Sequence, residues 1–427
     1  MRILWITANV LDIFFPRVKG KPTKGASWIA PLFYSLHRQP GVELGMITPV
    51  IDGEEQKEEI NRVVYYTVPI NKDGNRTEIK KELADSYLRA VTDFQPDIIH
   101  VHGTEYNFGL LRNHVDKKIP IVCSIQGIIS PWLTFMNYSV ADTDVKKHRS
   151  IKNRMGRGGV NGALRRWKNY PVVEKEIFEI NQYFIGRTLW DKAYVNIYNR
   201  DASYFHGEEL LRAPFYTTRW NINTCEKHSV FISSCAYSRK GFHVLIKAAG
   251  LLKNKYPDIK IVAPLSSMRV NASKWVDLFI SEDYDVYLKK EIARWGLQKN
   301  VMLLKNLNSQ EMADEYQKAH VFALPSFQEN SPNSLGEAMM VGTPSVAAPV
   351  GGVMSMVKDE SSSLIFPSGD YVMMAHQIDR LFSDEELALK VSQNARLIAE
   401  RRHNIVESTL QYMGVYEEIV KKHTSKN

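Results

Sequence analysis

The sequence holds little cysteine. Its 427 residues contain Cys123, Cys225 and Cys235, too few and too scattered for a disulfide framework or a zinc site. They read as reduced core thiols, which points to a reducing compartment. Long apolar runs are also missing: no stretch approaches the ~18 residues that a membrane span needs. The apolar start of the chain is interrupted by Thr7, Asn9 and Asp12, so it lacks the core of a signal peptide and reads as a buried strand. Short-period repeats and low-complexity tracts are absent too. With 44% hydrophobic and 24% charged residues, disorder, collagen and coiled coil are excluded as the main architecture. The expectation is a cytoplasmic globular protein of two domains, or three.

Positive charge is in excess, with 55 Lys and Arg against 47 Asp and Glu. The net charge of +8 suits a polyanionic ligand without choosing among a nucleotide phosphate, an anionic lipid surface and nucleic acid.

Short apolar runs alternate with helical stretches, the pattern of βα units around a parallel sheet. A first series of strands is expected at 2–8, 43–48, 62–68, 97–101 and 120–125. Periodicity is poor over 126–170, resumes near Tyr183 and halts again at 214–227. A second series is expected at 229–234, 258–263, 300–304, 320–324, 344–347 and 363–366. A helix over 241–254 places Val244, Leu245, Ala248, Ala249 and Leu252 on one face, and 384–423 reads as wholly helical. Two such series predict an α/β protein of two doubly wound, Rossmann-like domains facing a cleft, with ligands beyond the carboxyl ends of the strands.

The richest segment runs from Val321 to Gly352, VFALPSFQENSPNSLGEAMMVGTPSVAAPVGG. A strand ends at Pro325, a loop follows, and a helix opens near Pro332. Ser331 suits the N-cap and Pro332 the first helical position. The amides of Asn333 and Ser334 then point outward at the positive end of a helix dipole, which makes an anion site without a side chain. Glu337 lies four residues after Asn333, on the face of the helix start, where a carboxylate could accept from the vicinal hydroxyls of a ribose. Glu329 sits on the preceding loop. Glutamates near a helix start are also favourable without a ligand, by ~0.3–1 kcal/mol.

Glu329 and Glu337 form E-x7-E within PS-x2-E-x7-E-A-M-x2-G-x-P-x-V. This segment resembles the donor site of the family 4 retaining glycosyltransferases, which have the two-domain GT-B fold. The resemblance extends to Lys240-Gly241 and to Asp97-Ile98-Ile99-His100-Val101-His102-Gly103, and so over nearly the whole chain. It implies an acceptor-side domain at 1–212, completed by a returning C-terminal helix at 404–427, and a donor-binding domain at 213–403. Glu329 would contact the donor sugar and Glu337 the ribose, while Asn333 and Ser334 bind the diphosphate. Lys240 would neutralise the leaving group, and Gly25 would let backbone approach phosphate and acceptor. Asn330, Leu335 and Arg239 complete the expected donor contacts, and His102, Arg187 and Trp28 the acceptor side or cleft. Members usually work without a metal, and no cofactor is implied. The implied reaction moves a sugar from a nucleoside diphosphate to a glycan or lipid-linked acceptor, in cell-surface polysaccharide synthesis.

Two positions depart from the family. Its usual arginine, five or six residues before Lys-Gly, is here Cys235 or Ser234, so Arg239 is expected to substitute. Its common histidine after the strand at 120–125 is here Gln126, which can donate and accept hydrogen bonds but cannot act as a general base. These departures keep open a non-catalytic nucleotide-binding or scaffold protein, and the shared architecture keeps open a sugar-nucleotide epimerase of the same fold.

Weaker signals remain. His100 and His102 share a strand face, but without a third ligand they read as a wall of the cleft rather than a metal pair. Asp142-Thr143-Asp144 and Asp283-Tyr284-Asp285 spell D-x-D, a pattern that arises easily by chance, and the second suits the first turn of a helix. Gly156-Arg157-Gly158-Gly159-Val160-Asn161 lacks the third glycine and preceding strand of a dinucleotide fingerprint. The stretch 146–168 carries nine Lys or Arg and no acid. It is a solvated loop or a contact for an anionic lipid or phosphorylated acceptor, which would make the protein peripheral at the inner face of the membrane. The accompanying Trp132, Phe135, Trp167 and Tyr170 suit a membrane interface or sugar stacking. No recognition motif for nucleic acid is present. Arg187, after a strand, is an acceptor or phosphate contact, or else the partner of Asp191.

Overall fold

The computed structural model describes residues 1–22, 24–25, 28–70, 77–135, 151, 162, 164–165, 167–264 and 283–425. The chain divides into two compact units. One comprises Met1–Ser130, Asn169–Arg212 and Arg402–Asn427, and the other Pro131–Lys168 and Ala213–Arg401. The chain therefore re-enters the first unit at 402 rather than 404, and 131–168 groups with the second unit rather than the first.

Among the described residues, the sheet of the first unit has nine strands. Its central strand, Arg2–Ile6, lies between Glu43–Ile51 and Ile98–His102, both parallel to it. Beyond Ile98–His102 come Ile121–Ser124, Tyr183–Gly186 and Ser203–His206, all parallel. On the other side Val63–Ile70 continues the parallel order, and Gln56–Ile60 closes the edge antiparallel to it. Hydrophobic patterning shows the buried central strands but not this edge, whose Lys57, Glu58 and Glu59 are the charged residues that keep an exposed edge from pairing further.

The C-terminal segment, expected to be wholly helical, consists of two helices, Glu385–Arg402 and Ile405–Thr424. Asn404 breaks them and caps the second, its side chain accepting from the amides of Val406 and Glu407. That last helix returns to the first unit: its Tyr412, Val415, Tyr416 and Ile419 share a buried cluster with Trp5, Phe33 and Met46. Burying an aromatic or aliphatic side chain of this kind contributes about 1.5–3 kcal/mol.

His100 is enclosed in this packing. Its Nδ1 lies 2.7 Å from Tyr416 Oη and its Nε2 2.6 Å from Ser124 Oγ. Burial lowers its pKa to about 3. The unfolded chain therefore takes up a proton below pH ~6.5 that the folded chain refuses, so stability is full above that pH and falls toward pH 3. At pH 5 this one group should already cost about 2 kcal/mol relative to pH 7. Urea unfolding at the two pH values tests this, and equal free energies would contradict a neutral buried His100.

The second unit holds a six-stranded parallel sheet among the described residues. In space its order is Val301–Leu304, Lys260–Pro264, Glu226–Phe231, Ala319–Leu324, Ser345–Ala347, Leu364–Ile365. In chain order that is 3-2-1-4-5-6, the doubly wound arrangement. The chain winds away in opposite directions from Glu226–Phe231 and Ala319–Leu324, which leaves a crevice beyond their carboxyl ends. All three cysteines are free and buried in the two units. Among the described residues, no helix is long and apolar enough to cross a membrane.

Candidate functional site

The topological switch point of the second unit explains which distant residues meet. The segment after Glu226–Phe231 runs to a short turn, Ser238–Lys240, and the segment after Ala319–Leu324 is the loop leading to the helix Asn333–Val341. The two segments lie backbone against backbone, with the Phe327 amide donating to the Arg239 carbonyl at 2.8 Å. Gly241 makes this approach possible. Its φ of +73° is left-handed, and a Cβ there would stand 1.9 Å from the Pro325 carbonyl oxygen. Gly241→Ala should therefore push the segments apart and lower stability by about 1–3 kcal/mol or more, measured by urea unfolding. An unchanged midpoint would contradict the close approach.

This clasp brings Lys240 to Glu329. The Lys240 ammonium lies 2.5 Å from Glu329 Oε1, which also accepts from Ser326 Oγ at 2.7 Å. Both side chains are largely withdrawn from solvent, at 19% and 10% exposure. The helix beyond begins one residue later than expected. Pro332 is the N-cap, with extended backbone and no side-chain cap, and Ser331 instead directs its hydroxyl to Met356 Sδ at 3.6 Å. Leu335 and Gly336 are the first amides to reach back to the Pro332 carbonyl. Asn333 and Ser334 precede that ladder, and their N–H groups carry the positive end of the helix.

Glu337 is buried in the same helix. The Tyr316 hydroxyl donates to its Oε2 at 3.2 Å and lies 3.0 Å from the Ser334 carbonyl. Tyr316 thus holds the second glutamate against the helix start, a support that sequence spacing does not reveal. Asn330 is buried in the loop. Leu335, expected among the donor contacts, belongs to the core: its side chain is fully buried and its amide donates to Pro332.

Arg239, expected to replace the family arginine, is adjacent to this group. Its guanidinium stands 5.1 Å from the Trp132 ring centroid and 5.3 Å from that of Tyr237. Burial pulls its pKa below the usual arginine value, against the attraction of Glu329. Cys235, in the family position, is fully buried and donates its thiol to the Pro264 carbonyl at 3.2 Å. Burial raises that thiol to about 12, so the position supplies no charge.

In the first unit, parallel pairing sets His102, Gln126 and Arg187 at or just past the carboxyl ends of three adjacent strands. His102, expected on the acceptor side or cleft, packs among aromatic rings. It is buried with its ring 4.0 Å from that of Trp5 and 3.9 Å from that of His100, and burial holds its pKa well below the usual value. Gln126 turns its carbonyl oxygen to the Arg187 guanidinium at 3.3 Å. Arg187 is buried and its partner is Glu209, at 2.6 Å, not Asp191. Asp191 accepts instead from the backbone amides of Arg187 and Thr188 and from Tyr204, and closes a capping box on the next helix. Arg402 pairs with Glu208 at 2.9 Å and donates to the Arg187 carbonyl, so the network joins three distant stretches of the unit. Glu208 and Glu209 escape sequence reading because their arginine partners lie 194 and 22 residues away along the chain.

Trp28 is partly buried against the core cluster around Trp5, and Gly25 lies in a two-residue strand, Lys24–Gly25, paired with Asn9–Val10. Asp283 and Asp285 occupy the first turn of the helix Asp283–Arg294. Asp142–Asp144, Gly156–Asn161 and most of 146–168 lie outside the described residues. Among the described residues, no three His, Cys, Asp or Glu side chains gather as a metal site.

Comparison with known proteins singles out the unit that holds the Lys240–Glu329 pair. Residues 216–398 match the family of glycosyl transferases, group 1. The D-inositol 3-phosphate glycosyltransferase of Corynebacterium urealyticum is 30% identical over 162 residues, which cover 38% of this chain and 36% of that protein. The protein of the same name from Streptomyces bingchenggensis is 32% identical over 114 residues, covering 27% of this chain and 25% of its own length. These matches span about a third of the relatives' length or less. The fold likeness runs further. Sucrose-phosphate synthase from Thermosynechococcus elongatus aligns with a TM-score of 0.70 at 15% identity, covering 99% of this chain and 100% of its own. Anabaena HepE, solved in complex with UDP and glucose, aligns with a TM-score of 0.64 at 16% identity over 98% of this chain and 100% of its own. The architecture, two α/β domains with parallel sheets, matches that of these two solved structures.

Proposed function

We propose that the protein is a retaining glycosyltransferase, independent of metal, that transfers a sugar from a nucleoside diphosphate to a glycan or lipid-linked acceptor. One observation carries the reading: Lys240 and Glu329 meet at the switch point of the second unit, next to a helix start whose first amides face no intrahelical acceptor. Breaking a glycosidic bond to a diphosphate leaves an oxocarbenium-like sugar and a departing dianion. Fixed N–H dipoles and an ammonium stabilise that dianion without the reorganisation that water requires. Glu329 is the partner of Lys240. An incoming diphosphate offers Lys240 a stronger partner and releases the Glu329 carboxylate to accept from a sugar hydroxyl. Glu337, steadied by Tyr316, would take the ribose hydroxyls.

HepE, the neighbour solved with UDP-glucose, supports a nucleotide sugar as donor. A role in cell-surface polysaccharide synthesis, at the inner face of the membrane, belongs to the same proposal. Its test is a thermal-shift screen against UDP, GDP, ADP and their sugar conjugates. A ligand at about 100 times its dissociation constant adds ~2.7 kcal/mol of stability. The ligand that stabilises is then incubated with and without glycan acceptors. The proposal expects nucleoside diphosphate release with transfer and retained anomeric configuration. An epimerised donor, or tight binding without release, would contradict it.

A further inference from the structure

We infer that Trp132 is a positioning residue for diphosphate binding, acting through Arg239. The inference rests on the donor-site reading above and assigns a role to a residue more than 100 positions from the site in sequence. Arg239 and Lys240 are consecutive; Lys240 is paired with Glu329, and Arg239 feels the attraction of the same carboxylate. These two cations stand beside the positive end of the helix that starts at Asn333, which favours an anion there. The ammonium of Lys240 is fixed by its bond to Glu329. The guanidinium of Arg239 is held otherwise. It lies against the Trp132 and Tyr237 rings, and its Nε is buried with no hydrogen-bond partner among the described residues.

The two rings are not equivalent. Tyr237 is 61% exposed, whereas Trp132 is partly buried and braced by the ring of Trp167, 5.6 Å away at 77°. The negative face of an indole attracts a guanidinium without consuming its N–H donors. Trp132 can therefore fix the plane of Arg239 while leaving its hydrogen-bonding fork for phosphate oxygens. A carboxylate partner would fix the same plane but compete with the diphosphate for those donors. The arrangement supplies the second cation that Cys235 cannot, from a different backbone position. It also gives one face of the Trp132 ring to a cation rather than to a sugar or lipid.

The experiment compares a nucleoside diphosphate with its monophosphate by calorimetry, using whichever of UDP, GDP and ADP binds the wild type most tightly. The ratio of the two affinities isolates the β-phosphate. Trp132→Leu should lower that ratio about tenfold while leaving monophosphate affinity unchanged, and Trp132→Phe should restore most of it. Arg239→Gln should lower the ratio at least as far, and adding Trp132→Leu to it should change nothing more. A merely structural Trp132 would weaken both nucleotides alike, or lower the ratio equally in the Arg239→Gln background. Either result overturns the inference, as does an undiminished ratio in Trp132→Leu, and in each case the proposed function stands. If no diphosphate binds the wild type more tightly than its monophosphate, the donor-site reading itself fails.

Discussion

Lys240→Ala is expected to slow sugar transfer by about 100- to 1,000-fold, the usual effect of removing one preorganised donor from a developing oxyanion. The loss should fall on kcat more than on KM, because the charge that Lys240 meets is largest as the diphosphate departs. The pair with Glu329 makes the substitution informative in a second way. Truncating the lysine leaves a mostly buried carboxylate with Ser326 as a remaining partner, so some stability is also lost. Glu329→Ala separates the two effects. It should also reduce transfer by roughly 100-fold if the carboxylate grips the sugar in the transition state. A structural pair would show lower thermal stability in both variants with kcat preserved in each. Single-turnover rates measured beside unfolding midpoints decide between the two.

Glu209→Leu should strongly destabilise the first unit. Arg187 and Glu209 are 5% and 7% exposed, and removing the acid leaves a guanidinium buried without its charge partner. Breaking a buried pair in this way costs about 3–5 kcal/mol. Replacing both partners, as Arg187→Met with Glu209→Leu, should recover much of that loss, since an apolar pair of similar volume avoids desolvating two charges. Urea unfolding of the three variants tests it. A single variant as stable as the wild type, or a double variant no better than the single, would contradict the assignment. The same result bears on function, because an Arg187 committed to Glu209 reaches a phosphate only by giving up that partner.

Much of this was legible in the sequence, for physical reasons. Parallel strands buried on both faces are nearly continuous apolar runs, so Arg2–Ile6, Ile98–His102 and Ala319–Leu324 stand out. The helix start at Asn333 could be read because Ser331 and Pro332 mark it, although the cap is Pro332 rather than Ser331. Contacts that close across long sequence separations could not be read. Tyr316 on Glu337, Trp132 on Arg239, and the Arg187–Glu209 and Arg402–Glu208 pairs join residues whose patterns carry no mark of one another. His102, read as a wall of the cleft, has its ring packed against Trp5 and His100, contacts that its place on a strand does not announce. The polar edge strand Gln56–Ile60 was hidden because charge, not apolarity, defines it.

The most direct test is a crystal structure with the nucleotide sugar that stabilises the protein most strongly in the thermal-shift screen. The account predicts phosphate oxygens within hydrogen-bond distance of the Asn333 and Ser334 amides, the Lys240 ammonium moved from Glu329 to the diphosphate, and Glu337 on the ribose. A nucleotide bound elsewhere, with Lys240 still on Glu329 and the first turn of Asn333–Val341 untouched, would contradict it.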